Sequence, residues 1–191
     1  HYIERLRDEL QIPIVYVSHS IEEVVRLADT VVVMSDGAVR ATGAPQDVMG
    51  RLDLRPATGR YEAGAVIETR VLAYDEHDDV TTLGFEGGEL LATNVDALIG
   101  EPVRVRVRAR DVSLALRAPE DVSILNVLRG RVLEVREGAE AAADVRLAVG
   151  GATLLARVTR RSVERLKLAP GLEIYAMVKA ISLDRHSTGF T

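Results

Sequence analysis

The chain has no cysteine and no tryptophan in its 191 residues, and aromatic side chains make up only 4% of it. Without thiols there is no disulfide framework and no thiolate metal site, a composition that suits a cytosolic protein. The shortage of aromatics removes the stacking platforms that grip single-stranded nucleic acid. A formal net charge of −5 points the same way, because nucleic-acid binding relies on many cations to neutralise phosphates. Long apolar runs are missing as well. A stretch such as Thr30 to Met34 is far too short to span a bilayer, so membrane association is expected to go through a partner. Nor is there a G-x-x-x-x-G-K-[ST] stretch, the loop that cradles nucleotide phosphates and orders magnesium.

What remains is ordinary globular material, 47% hydrophobic and long enough for one to three small domains. Residues 1–50 predict an α/β pattern. Tyr2, Ile3, Leu6 and Leu10 recur at helical spacing, and Pro13 leads into a β-branched run, Ile14 to Val17, expected as a buried strand. That run ends on the polar corner Ser18-His19-Ser20. Ser20 stands three residues before Glu23, the spacing of a capping box. The corner would hold one imidazole at the carboxyl end of a strand, where α/β proteins place ligand-contacting groups. Taken alone, His19 reads first as a corner histidine bonded to neighbouring backbone. Asp36-Gly37 predicts a tight turn joining Val31–Met34 to Ala38–Ala41, and Pro45 opens a short helix over 46–49.

The pattern breaks between Gly50 and Gly64, and beyond it short strands appear in two ordered copies. Arg70-Val71-Leu72-Ala73 answers Arg131-Val132-Leu133-Glu134, and Gly87-Gly88 answers Gly150-Gly151. Gly100 before Val103–Val107 answers Gly171 before Ile174–Val178, and Val112-Ser113-Leu114 answers Ile181-Ser182-Leu183. The offset grows from 61 residues to 71 at Gly100 and Gly171 and ends at 69, as small loop insertions and deletions would produce. Five strand candidates per copy suit a small closed barrel of the OB type, and the second copy adds a short helix over 162–166. The expected partition is 1–50, a linker 51–64, a first repeat 65–118, a second barrel 119–185 and a tail 186–191. From Gly151 to Thr191 seven Lys/Arg stand against three acids, a local +4 that favours a small anion. The alternation Val103 to Arg108 predicts a solvated, charged strand face, and Asp75-Glu76-His77-Asp78-Asp79 a solvated hairpin loop.

The string from Val15 through Ser18-His19-Ser20 to Leu27-Ala28-Asp29 and Asp36-Gly37 resembles the switch-histidine segment of ABC-transporter ATPases. That resemblance implies that His19 contacts the terminal phosphate of ATP, with Mg2+ and a P-loop supplied elsewhere in a longer protein. The opening at His1 inside a helical repeat predicts a piece that starts past the Walker B region and does not hydrolyse ATP alone. Ser123-Ile124-Leu125-Asn126, Val158-Thr159-Arg160-Arg161-Ser162 and Met177-Val178-Lys179-Ala180-Ile181 resemble three motifs of molybdate-binding Mop/TOBE domains. By that resemblance Ser123, Thr159, Ser162 and Lys179 hold an oxyanion, Ser123 across a subunit boundary. The chemistry suits it: a tetrahedral dianion wants hydroxyl and N–H donors at a helix start and one fixed cation. Many relatives carry Arg where Leu125 stands, which removes a fork of donors unless Arg160 or Arg161 compensates. The plainer reading keeps the barrel for dimerisation, with Lys179 on a solvated face.

Taken together, the resemblance is to ATP-binding subunits of molybdate (or tungstate) ABC importers. It implies ATP hydrolysis coupled to oxyanion import, a homodimer, a membrane permease partner at the inner face of the plasma membrane, and no nucleic acid. In some members the barrels bind intracellular molybdate and inhibit transport. The rivals are a stand-alone molybdate-binding storage or sensing module, and the ATPase subunit of a sulfate, sugar or polyamine importer.

Overall fold

A computed structural model describes residues 3, 6, 9, 12–54, 63–138, 141–179 and 181–182. Ile3, Leu6 and Glu9 are helical, as the spacing predicts, while Tyr2 and Leu10 lie outside the described residues. The run Ile14 to Val17 is not the expected buried strand. It has no regular secondary structure and pairs with no described strand, and Val15 and Val17 are 94% and 91% exposed. A β-branched run becomes a buried strand only where neighbours supply a ladder and cover its faces, and no described segment does so here.

Helix α1 (Ile21–Leu27) follows, then strands β1 (Val31–Ser35) and β2 (Ala38–Gly43) paired about Asp36-Gly37, then helix α2 (Pro45–Met49). Both Asp36 and Gly37 have positive φ, which is why this dipeptide makes the turn. Val31, Val33, Ala41, Val48 and Leu54 bury a small core beneath the hairpin.

Two five-stranded sheets make up the rest. Strands β3 (Gly64–Asp75), β4 (Val80–Phe85), β5 (Gly88–Thr93) and β6 (Pro102–Arg108) are followed by a 3-10 turn (Ala109–Asp111) and β7 (Val112–Ala115). Strands β8 (Asn126–Glu137), β9 (Ala142–Val149) and β10 (Ala152–Thr159), helix α3 (Arg160–Leu166), β11 (Glu173–Val178) and β12 (Ile181–Ser182) repeat that order. The sheets do not follow the copies. They run β12-β5-β4-β3-β6 and β10-β9-β8-β11-β7, so each copy closes its barrel with the other's last strand. β7 pairs with β11 and lies against β10, while β12 pairs with β5 and lies against β6, the same slot in each barrel.

The internal repeat is reproduced at atomic detail. The long first strand of each copy slips register at one place, between Val71 and Ala73 in β3 and between Val132 and Glu134 in β8. The extra residues, Leu72 and Leu133, are the pair that the sequence aligns. In both copies a turn glycine with φ near +90°, Gly100 or Gly171, donates its N–H to the carbonyl of Val71 or Val132 at 2.8 Å. The N–H of that same valine donates to Glu101 or Leu172. The bulge and the turn thus satisfy each other's backbone groups.

The glycine turns explain how the barrels meet. A Cβ on Gly150, whose φ is +56°, would overlap the carbonyl of Glu86, and a Cβ on Gly87 would overlap the carbonyl of Val149. Gly151 donates its N–H to that same Glu86 carbonyl at 2.7 Å. Equivalent turns therefore cross backbone against backbone, a contact only glycine permits. Beneath them one continuous core joins both barrels, with Leu83, Leu90, Leu147, Leu154 and Ile174 fully buried. Each such side chain contributes roughly 1.5–3 kcal/mol.

Candidate oxyanion and phosphate-sensing residues

At the first corner, Ser20 caps α1 by accepting the N–H of Glu23 at 3.3 Å, which is half of the expected capping box. The other half is rearranged. The Glu23 carboxylate accepts from Ser18 Oγ at 2.6 Å and Tyr16 OH at 3.0 Å, and Ser18 Oγ accepts the Ser20 N–H. The hydroxyls of Ser18 and Tyr16 hold Glu23 below the usual carboxylate range, and Glu23 in turn raises Tyr16. His19 stands exposed beside this network, at the tip of the corner. Its side chain makes no hydrogen bond among the described residues.

In the second barrel, Thr159 is the N-cap of α3. Its Oγ1 accepts the Ser162 N–H at 3.1 Å and lies 2.9 Å from Ser162 Oγ. One hydroxyl proton of the pair satisfies the other oxygen, which leaves a second proton to donate outward. The helix starts two residues before the expected Ser162, because Thr159 offers a cap that the hydrophobic spacing does not reveal. The left-handed Lys167 ends it.

Ser123 and Lys179 lie at a different place. Val178 stands opposite Asn126, so continuing that antiparallel register puts Lys179 beside Leu125, with Ser123 just beyond, at the start of β8. Both are exposed. Thr159 stands opposite Ala142, at the far end of β8, where Glu137 faces Ala143. The structure thus brings Thr159 together with Ser162, while the register of β8 with β11 runs on toward Ser123 and Lys179 at the opposite end of the strand. No hydrogen bond among the described residues joins the two pairs within one chain.

Two features escape the sequence reading. Asn126 is 3% exposed, and its side-chain amide spans the barrels: Oδ1 accepts the Leu91 N–H at 2.7 Å and Nδ2 donates to the Leu91 carbonyl at 3.0 Å. The available signal was a polar residue in phase with the inward-facing Leu128. The second feature is a correction. The arginine side of β6 is not a solvated face, since Arg104 and Arg106 are only 11% and 10% exposed in their side chains. Arg104 Nη1 donates to the carbonyl of Ala28 at 2.7 Å, while Arg106 and Arg108 reach the carboxylate of Glu22. The alternation predicted the facing correctly but not the helix that covers it. The acidic loop is the expected hairpin: the Asp75 carboxylate accepts the N–H groups of His77 and Asp78, and Tyr74 OH donates to Asp79.

Residues 122–184 match the family model described as the TOBE domain. The fold resembles the cytoplasmic molybdate-binding protein ModG solved with molybdate bound, at 28% identity and a TM-score of 0.55, over 61% of this chain and 91% of that one. The tail is therefore a pair of OB-like barrels of the Mop/TOBE class. Across nearly its whole length the chain is similar to curated ATP-binding proteins of molybdenum import. It is 48% identical over 188 residues to "Molybdenum import ATP-binding protein ModC" of Mesorhizobium japonicum, covering 98% of this chain and 51% of that protein. It is 50% identical to the protein of that name from Aromatoleum aromaticum over 96% of this chain and 48% of that one. The chain spans about half the length of the curated relatives it matches.

Proposed function

We propose that the chain is the C-terminal part of the ATP-binding subunit of a molybdate (or tungstate) importer, and that its second barrel binds the oxyanion. The observation that carries this reading is the likeness of the tandem barrels, in sequence and in fold, to a molybdate-binding protein over 91% of that protein's length. The partition into an ATPase portion over 1–50, a linker 51–64, repeats over 65–118 and 119–185 and a tail 186–191 belongs to the same proposal. ATP and Mg2+ bind in the whole protein, where His19 meets the γ-phosphate. The corner, held by the Ser18–Glu23–Tyr16 network, leaves His19 exposed, and the rest of the subunit would supply the P-loop. A permease partner would bring the subunit to the inner face of the membrane; no helix among the described residues is long and apolar enough to cross one.

The separation of the two residue pairs favours an oxyanion held between chains of a homodimer. Thr159 and Ser162 of one chain would donate hydroxyls, while Ser123 and Lys179 of the other would supply a donor and the charge. Calorimetric titration with molybdate, tungstate and sulfate tests this. Saturable binding of molybdate or tungstate with much weaker sulfate is expected, and it should come with a dimer in solution. No binding by folded, dimeric chain would leave the barrels as dimerisation modules.

A further inference from the structure

The register of the two barrels sets matching residues side by side. β6 pairs with β3 as β11 pairs with β8, with Val107 opposite Ala65 and Val178 opposite Asn126. Arg108 of the first barrel therefore occupies the position of Lys179 in the second. Lys179 is exposed and has no ion pair among the described residues. Arg108 instead meets an anion that the chain itself supplies, the carboxylate of Glu22, which Arg106 also approaches at 3.4 Å.

Glu22 lies in the first turn of α1, and the carbonyl taken by Arg104 lies just past its last turn. From residue 22 to 28 a helix rises roughly 9 Å. From Arg104 to Arg108 a strand advances about 13 Å, a mismatch that arginine side chains span easily. One strand face thus grips both ends of one helix. The polarity is favourable at the carboxyl end, where the last carbonyls of a helix lack internal partners and attract cations. Arg104 and Arg106 are largely withdrawn from water, so these contacts are screened far less than surface pairs. Ser20, the cap of α1, immediately follows His19.

We propose that the first barrel's Arg104–Arg106–Arg108 face is an internal carboxylate receptor that latches α1 through Glu22 and so fixes the position of the His19 corner relative to the barrels. In this arrangement the two cation positions of the duplicated barrel are divided: Lys179 for a free oxyanion, Arg108 for a tethered one. Arg106, Arg108 and Glu22 are positioning residues for His19, and this function rests on the phosphate-sensing reading of that residue given above.

The cysteine-free sequence permits a direct test. Spin labels at Asp29→Cys, just beyond α1, and Ser113→Cys, on an exposed site of β7, report the placement of the helix by the distribution of distances between them. A single narrow distribution is expected with the latch intact. In an Arg106→Ala/Arg108→Ala background it should become at least about twofold broader, as the helix is released to local motion. Glu22→Gln, which leaves the barrel untouched, should broaden it in the same direction and guards against misfolding of the arginine variant. An unchanged narrow distribution in both backgrounds would overturn the latch. Molybdate binding is measured on the same samples. Its absence would sink the oxyanion role of Lys179 without moving the distance, and the latch is read from the distance alone, so its failure is told apart from failure of the phosphate-sensing reading of His19.

Discussion

The two barrels share one backbone plan and differ in what they present. Bulge, turn glycine and closing slot recur at matching positions, yet the first barrel joins β5 to β6 by an irregular eight-residue link while the second inserts α3 between β10 and β11. On the strand that follows, the first carries Arg104 and Arg106 where the second carries Tyr175 and Met177. Backbone devices that satisfy hydrogen bonds are kept in both copies. Side chains that face outward diverge: those of the first barrel meet the chain's own helix, while Lys179 of the second stands exposed. Duplication here preserved closure and released the surface.

The sharpest way to break this comparison is at the shared glycine crossing. Gly150→Ala should lower stability by roughly 3 kcal/mol or more, since it combines a left-handed φ with overlap against the Glu86 carbonyl. Gly88→Ala, with φ +132° but open space around it, should cost only about 1–3 kcal/mol from backbone strain. Urea unfolding of both variants measures the gap, and equal losses would mean the crossing is not tightly packed. Next comes Asn126→Ala, which leaves the Leu91 N–H and carbonyl without partners inside the molecule. A loss of about 2 kcal/mol is expected, with both barrels still melting in one transition. A split into two transitions would show that Asn126 alone couples them.

A smaller effect separates the two cation positions. Lys179→Ala should weaken molybdate binding roughly tenfold or more, as loss of a charge-assisted contact does, while Arg108→Ala should leave that affinity unchanged. Titration calorimetry reads both. Smallest of all is the exposed pair of Arg129 with Glu173. The hydrogen bond from Arg129 holds the Glu173 carboxyl below its ordinary range. Its contribution is therefore present above the usual carboxylate pKa and fades as pH falls through the lowered value. Glu173→Gln should remove that acid-side dependence, and salt should weaken it in the unmodified chain.

Much of this was legible because it is local. The Asp36-Gly37 turn, the Pro45 helix, the bulged repeat around Val71 and Val132, and the Gly-Gly turns all depend on residues close in sequence. What stayed hidden depended on distant partners. Ile14 to Val17 has the composition of a buried strand, but burial is conferred by neighbours. The alternation in β6 announces two faces without saying that α1, some eighty residues earlier, covers the charged one. Of the candidate site, the pairing of Thr159 with Ser162 follows from their spacing, whereas the opposite placement of Ser123 and Lys179 follows only from the register of β8.

The exchange of closing strands has a consequence for how the molecule is made. During synthesis β7 emerges before the barrel it completes, whereas the first barrel's four strands must wait for Ile181–Ser182, about ninety residues after β5. Until then the first sheet exposes an open edge, the kind of surface that recruits stray strands. Closing it joins residues remote in sequence, a step that slows folding and lengthens exposure to misassembly. A nascent chain of this design is vulnerable until Ile181–Ser182 arrives, and removing either barrel would take the closing strand from the other.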